Sequence, residues 1–269
     1  MSPLRRLALL LIGTWLPTAS AADDRIWIFT GLPGDEEHHK DFEKTLGSLK
    51  SAFTTRLGIP AEKCTIYYGP TSAGYAGETT RENVMAAFKE IASMTKSSPQ
   101  TAHWIIFIGH AHGIRGGAQL NLPGPDVNSI DISTTLADCN PAAQLNFLFT
   151  HTASAPFLRP LAAPGRVIIT ATAPGGMENE TEFPAALADT LNDRASDANK
   201  DGKLDLNEIF LATRERVLGR YNKEKLIVRE AALLDGDGDG RGTQRPAEID
   251  ATGAARRFLT LTTEGKGIE

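Results

Sequence analysis

Two short stretches of this 269-residue chain hold side chains that can do chemistry. His110 and His112 flank Ala111, and His151 sits inside Thr150-His151-Thr152-Ala153-Ser154; each stretch directly follows an apolar run. An imidazole titrates near neutral pH and can take a proton from a hydroxyl, which is what a Ser or Thr nucleophile needs. One chemistry is therefore hydrolysis. Thr152 or Ser154 is the nucleophile, His112 or His151 the base, and backbone N–H groups near Gly113 form the oxyanion hole. Another is metal binding, because His110, His112 and His151 suffice as three zinc ligands if they converge.

A second set of residues suits a harder ion. Residues 197–208, DANKDGKLDLNE, fit the twelve-residue EF-hand loop. Asp197, Asn199 and Asp201 take positions 1, 3 and 5, and Gly202 takes the sharp turn at position 6. Lys203 offers its carbonyl at position 7, Asp205 takes position 9, and Glu208 is the bidentate ligand at position 12. An all-oxygen set of this density selects Ca²⁺. Residues 235–246, DGDGDGRGTQRP, repeat only part of the pattern. Asp235, Asp237 and Asp239 hold positions 1, 3 and 5, Pro246 stands at position 12, and Glu248 or Asp250 can close a longer loop. Calcium here serves structure better than sensing, because one good loop lies inside the domain rather than in an EF-hand pair.

The elements that must position these groups alternate in type. Arg25–Thr30, Cys64–Tyr68, Trp104–Ile108, Leu145–Phe149 and Arg166–Ala171 read as strands. Helical spacing of apolar residues runs through Phe42, Leu46, Leu49 and Phe53, then through Val84, Phe88 and Ile91 behind a cap at Thr79 or Thr80. Further helices cover about 184–195 and 206–221, and a short strand runs from Arg257 to Leu261. The central strands are apolar on both faces, which implies a mostly parallel sheet covered by helices: an α/β three-layer sandwich. Trp104, Phe107 and Phe147 belong to its core. Ligands gather at the carboxyl ends of strands in such sheets, which is where His38, His39, His110, His112 and His151 fall. Period-2 alternation sets His110 and His112 on one face.

At this point the chain resembles the caspase–legumain–gingipain clan of cysteine peptidases, within it the exported bacterial caspase-like and legumain-like proteins. The resemblance rests on Ile105-Ile106-Phe107-Ile108-Gly109-His110-Ala111-His112-Gly113, on Thr150 to Phe157, on Gly165-Arg166-Val167-Ile168-Ile169-Thr170-Ala171-Thr172, and on the 197–208 loop, in that order over residues 25–235. It implies that His112 matches the catalytic histidine. It sets Thr152 where the family has its nucleophilic cysteine, and Thr150 where it has an acidic residue. A threonine hydroxyl lacks the accessible pKa of a thiol, and Cys139 lies before the strand rather than at its tip. The resemblance thus implies a caspase-like fold without the family's cysteine-peptidase chemistry, with a protein or peptide ligand at the strand-tip cleft.

Export follows from the first residues. Arg5 and Arg6 precede the apolar run Leu7–Leu16, and Ala19-Ser20-Ala21 is a cleavage pattern, so residues 1–21 read as a signal peptide. The mature chain, 22–269, reads as one domain, periplasmic or secreted, with both Asp/Gly loops embedded. No later stretch reaches about 20 apolar residues, so no membrane span is expected. Cleavage takes the formal charge from −5 to −7 by removing the two arginines, and an acidic chain without a basic stripe is a poor nucleic-acid binder. Cys64 and Cys139 are two cysteines of an exported chain, but the implied topology separates their strands, which favours two buried thiols over a bridge.

Overall fold

The strands form because their β-branched and aromatic residues bury on both faces of one sheet. A computed structural model describes residues 23–71, 73–175, 180–246, 253 and 257–262; the signal-peptide stretch 1–21, and Glu248 and Asp250, lie outside them. In chain order the elements are β1 (Arg25–Thr30), α1 (Glu36–Ser51), β2 (Cys64–Tyr68), β3 (Gly77–Glu78), α2 (Arg81–Ser97), β4 (Ala102–Ile108), β5 (Ala111–Ile114), β6 (Gly117–Leu120), β7 (Val127–Asn128), α3 (Ser129–Thr135), β8 (Gln144–Phe149), α4 (Leu158–Leu161), β9 (Arg166–Thr170), α5 (Phe183–Asn192), β10 (Lys203–Asp205), α6 (Leu206–Lys223), β11 (Leu233–Asp235) and β12 (Phe258–Thr260).

Seven strands make the central sheet in the order β11-β9-β8-β4-β1-β2-β3. All neighbours are parallel except β11, which runs antiparallel to β9. The sheet carries a core on each face. On one, Ile26, Ile28, Trp104, Ile106 and Ile169 pack with Leu46 and Leu49 of α1, Phe183 and Leu187 of α5, and Phe210 of α6. On the other, Trp27, Phe29, Phe107, Phe147 and Phe149 pack with Val84 and Phe88 of α2, Ile132 of α3 and Leu161 of α4. This is the expected three-layer, mostly parallel α/β sandwich, with Trp104, Phe107 and Phe147 buried.

Local chemistry fixes the helix starts. Asp35 caps α1 by accepting from the N–H groups of Glu37 and His38, both at 3.0 Å. Thr80, rather than Thr79, caps α2. Helix α5 has no side-chain cap of its own; the Glu182 N–H donates instead to the distant Glu230 carboxylate at 2.5 Å.

One departure from the sequence reading matters for the site. The apolar run at 104–108 does not carry its alternation through His112. Gly109, at φ +131°, turns the chain out of β4, and residues 111–128 build a separate three-stranded antiparallel sheet, β5-β6-β7. The strand at the C-terminus does not join the main sheet but pairs with β10. Cys64 and Cys139 are unpaired, with β1 and β4 between β2 and β8. Among the described residues no helix is long and apolar enough to cross a membrane.

Candidate functional site

The segments after β4 and β8 end side by side at the carboxyl edge, because those strands are hydrogen-bonded neighbours. Their polar side chains turn into the structure. Thr150 is fully buried, and its hydroxyl donates to the Phe107 carbonyl at 2.6 Å. Thr152 is fully buried too, with both capacities of its hydroxyl used on one residue. It donates to the Ala111 carbonyl and accepts from the Ala111 N–H, each at 3.1 Å. Ser154 and Thr172 lock reciprocally: each hydroxyl accepts from the other's backbone N–H at 3.0 Å. Ala153 between them is forced to φ +47°, a left-handed conformation that only the surrounding bonds make tolerable.

The histidines go to different partners. His112 is exposed, and its Nδ1 lies 2.8 Å from Asn121 Oδ1. Gly113, the expected oxyanion residue, is exposed within β5 opposite Ala118. His151 is buried edge-on to Phe149 and Phe157. Its Nδ1 donates to the Thr152 carbonyl at 2.6 Å, and desolvation holds its pKa down to about 4, so it is neutral, with Nε2 unpartnered. His110 Nε2 lies 3.8 Å from a Glu180 carboxylate oxygen. The three candidate zinc histidines therefore do not share a centre.

The open space borders the tip of β4 at Ile108, Gly109 and His110. A cavity of about 950 Å³ opens between α1, the residues before α5, and the end of α6. It is lined by His38, His110, Glu180, Arg220, Tyr221 and Arg229, among others, and not by His112, Gly113, Thr152 or Ser154. At its floor His38 bridges two carboxylates: Nδ1 meets Asp35 at 2.6 Å and Nε2 meets Glu180. Desolvation opposes its charge, but the Asp35 hydrogen bond and the Glu180 charge outweigh it and raise the His38 pKa. Leu226 and Ile227, 60% and 79% exposed, form an apolar rim. The histidine count at the carboxyl edge pointed to His38 and His110 in the sequence. Glu180, Arg220 and Arg229 carried no signal there, because only tertiary packing brings them to the cavity.

Both Asp/Gly loops are built on the same hydrogen-bonded turn. In the first, Asp197 accepts from the N–H groups of Asp201 and Gly202 at 3.2 and 3.0 Å. Asn199 accepts from Asp201 N–H, and Asp201 from Lys203 N–H. Glu208 reaches back across the loop to the N–H groups of Ala198 and Asn199, at 3.0 and 3.2 Å. Asp205 and Glu208 also form the capping box of α6, so the same two carboxylates start the helix and close the loop. Burial, with Glu208 and Asp201 close by, raises the Asp205 pKa. The Arg56 guanidinium acts on Asp197 through its charge. The second loop repeats the bond pattern. Asp235 accepts from Gly238 and Gly240 N–H, Asp237 from Asp239 N–H, and Asp239 from Arg241 N–H. Gly202 and Gly240 take the same left-handed turn, both at φ +79°. One carboxylate oxygen from each of Asp235, Asp237 and Asp239 lies within 4.8 Å of the others. Repulsion at that spacing, and the all-oxygen donor set, fit a hard divalent cation.

No protein-family model matches the chain, and no curated protein matches it. Among solved structures it is similar to a secreted C11 cysteine protease from Bacteroides thetaiotaomicron in complex with an irreversible peptide inhibitor, with a TM-score of 0.41 and 11% identity over 75% of this chain. A second structure of a secreted C11 cysteine protease from that organism gives 0.43 and 11% over 80%. A protein from Geobacter sulfurreducens gives 0.45 and 11%, covering 79% of this chain and 92% of that one. This chain spans 60% and 66% of the two protease chains.

Proposed function

We propose that this chain is an exported calcium-binding protein on a caspase-like scaffold, periplasmic or secreted, without cysteine-peptidase activity. The observation that carries it is the pair of Asp/Gly loops. Both wrap carboxylates around the same hydrogen-bonded turn. In the first loop, Asp197, Asn199, Asp201, Asp205 and Glu208 would hold the ion by side chains and Lys203 by its carbonyl; in the second, Asp235, Asp237 and Asp239. The ion supplies positive charge that ties α5 to α6, and β11 to the segment before β9. Strand direction puts both loops at the amino edge, opposite the cavity, which supports a structural rather than a catalytic calcium. A protein or peptide ligand fits the cavity, whose apolar rim and mixed charge suit an extended chain better than a small anion.

Loss of peptidase chemistry is supported by Thr152 where the resemblance implies a nucleophilic cysteine, and by the place of the two half-buried cysteines outside the 150–154 segment. The alternative, a hydrolase using Thr152 or Ser154 with His112, draws no support from the strand tips, since each hydroxyl is engaged elsewhere and His112 pairs with Asn121. The test is a melt in excess calcium and in chelator, alongside fluorogenic peptides and thiol- and serine-directed probes. A calcium-raised Tm with no cleavage and no labelling is expected. Labelling of Thr152 or Ser154 that disappears in His112→Ala would overturn the reading in favour of the hydrolase.

A further inference from the structure

The strand β12 is held by the first Asp/Gly loop and not by the main sheet. β12 pairs antiparallel with β10, in register Lys203 with Thr260, Leu204 with Leu259 and Asp205 with Phe258. β10 is positions 7 to 9 of the first loop. The contact extends at both ends: Leu206 N–H donates to the Arg257 carbonyl, and Leu261 N–H to the Gly202 carbonyl, each at 3.0 Å. Leu259 is fully buried beside Leu204 and Leu206, and the Lys203 ammonium sits 4.2 Å from the centre of the Phe258 ring. Beyond the ladder, Thr262 N–H donates to the Arg56 carbonyl at 2.9 Å, at the end of the helical run that α1 begins. Upstream, Gly253 lies so close to the Gly236 carbonyl and to Asp237 that a Cβ there has no room.

We propose that the segment 257–262 is a calcium-controlled clasp, an intramolecular strand whose docking surface is the first calcium loop itself. This rests on the calcium reading of that loop. The strand edge that receives β12 is made of loop backbone, including the turn at Gly202 whose N–H is held by Asp197. Without a cation, Asp197, Asp201, Asp205 and Glu208 repel one another inside that turn, and the edge loosens. With a cation, the edge is fixed and the segment ties the loop to the end of α1. Linkage makes the effect reciprocal: a docked segment pre-orders β10 and raises calcium affinity.

Hydrogen exchange on the full mature chain tests it. The amides of Leu261 and Thr262 are expected to exchange at least about tenfold faster in chelator than in saturating calcium, while those of Ile105 to Ile108 stay unchanged. Glu208→Gln should show the fast rates even with calcium present. Leu259→Ala, or Phe258→Ala where the first variant does not fold, should weaken calcium binding at the first loop by about fivefold or more. Calcium binding with unaltered exchange at 261–262 and wild-type affinity in these variants overturns the clasp and leaves the calcium reading standing. Absence of calcium binding overturns both.

Discussion

Replacing Glu230 by Gln should remove a large part of the pH dependence of stability. Glu230 is 8% exposed. One oxygen accepts from Glu182 N–H at 2.5 Å and from the Tyr221 hydroxyl at 3.0 Å, while the other has no partner. Desolvation dominates these bonds and pushes the carboxyl from its ordinary 4.5 up to about 7. A carboxyl with a raised folded pKa favours the folded state while protonated. Its contribution is complete below pH 4.5 and is lost as pH rises through about 7. At about 1.4 kcal/mol per pH unit the loss amounts to about 3 kcal/mol. Urea unfolding of wild type and Glu230→Gln, near pH 4 and near pH 8 and in constant chelator, reads it directly. The informative quantity is the change in mutational effect between the two pH values. That difference cancels the fixed cost of putting an amide nitrogen at the unpartnered position. The variant should gain about 3 kcal/mol on wild type as pH rises. A mutational effect equal at both pH values would refute the argument that this carboxyl is buried and neutral in the fold.

Thr152→Val leaves the Ala111 N–H and carbonyl without their side-chain partner and should cost about 1–3 kcal/mol in urea unfolding, with no change in any peptide hydrolysis. A loss of hydrolysis with unchanged stability would instead mark a nucleophile. Thiol titration of the denatured mature chain should find both Cys64 and Cys139 free, and slow reaction in the native state, because burial pushes Cys64 up to about 11 and raises Cys139. Recovery of no thiol would mean a bridge that this topology does not allow.

Much of the scaffold was readable because its signals are local. Apolar strands at 25–30, 104–108 and 145–149 and capped helices at 36–51 and 81–97 follow from runs and spacings that chain neighbours alone determine. The turns of the two Asp/Gly loops were readable for the same reason, since the carboxylates and the N–H groups they hold lie within twelve residues of one another. The strand tips were not. Alternation assigned His110 and His112 to one face, but Gly109 turned the chain, and the fate of each imidazole was decided by Glu180 and Asn121. Hydroxyls at Thr150, Thr152 and Ser154 carried the right chemistry for a site, yet their partners are backbone groups of neighbouring strands, which no spacing reveals. The dual use of Asp205 and Glu208, as calcium-loop carboxylates and as the capping box of α6, was visible as spacing but not recognised as one device. The clasp depends on pairing across more than 50 residues, and β12 alone reads only as a short apolar strand.

Calcium titration by calorimetry, on the full mature chain and on two loop variants, meets the central claim most directly. The account predicts two calcium ions per chain, one lost in Glu208→Gln with the other retained, and the reverse in Asp235→Asn. Wild-type protein that takes up no calcium, or that binds it unchanged in both variants, would contradict it.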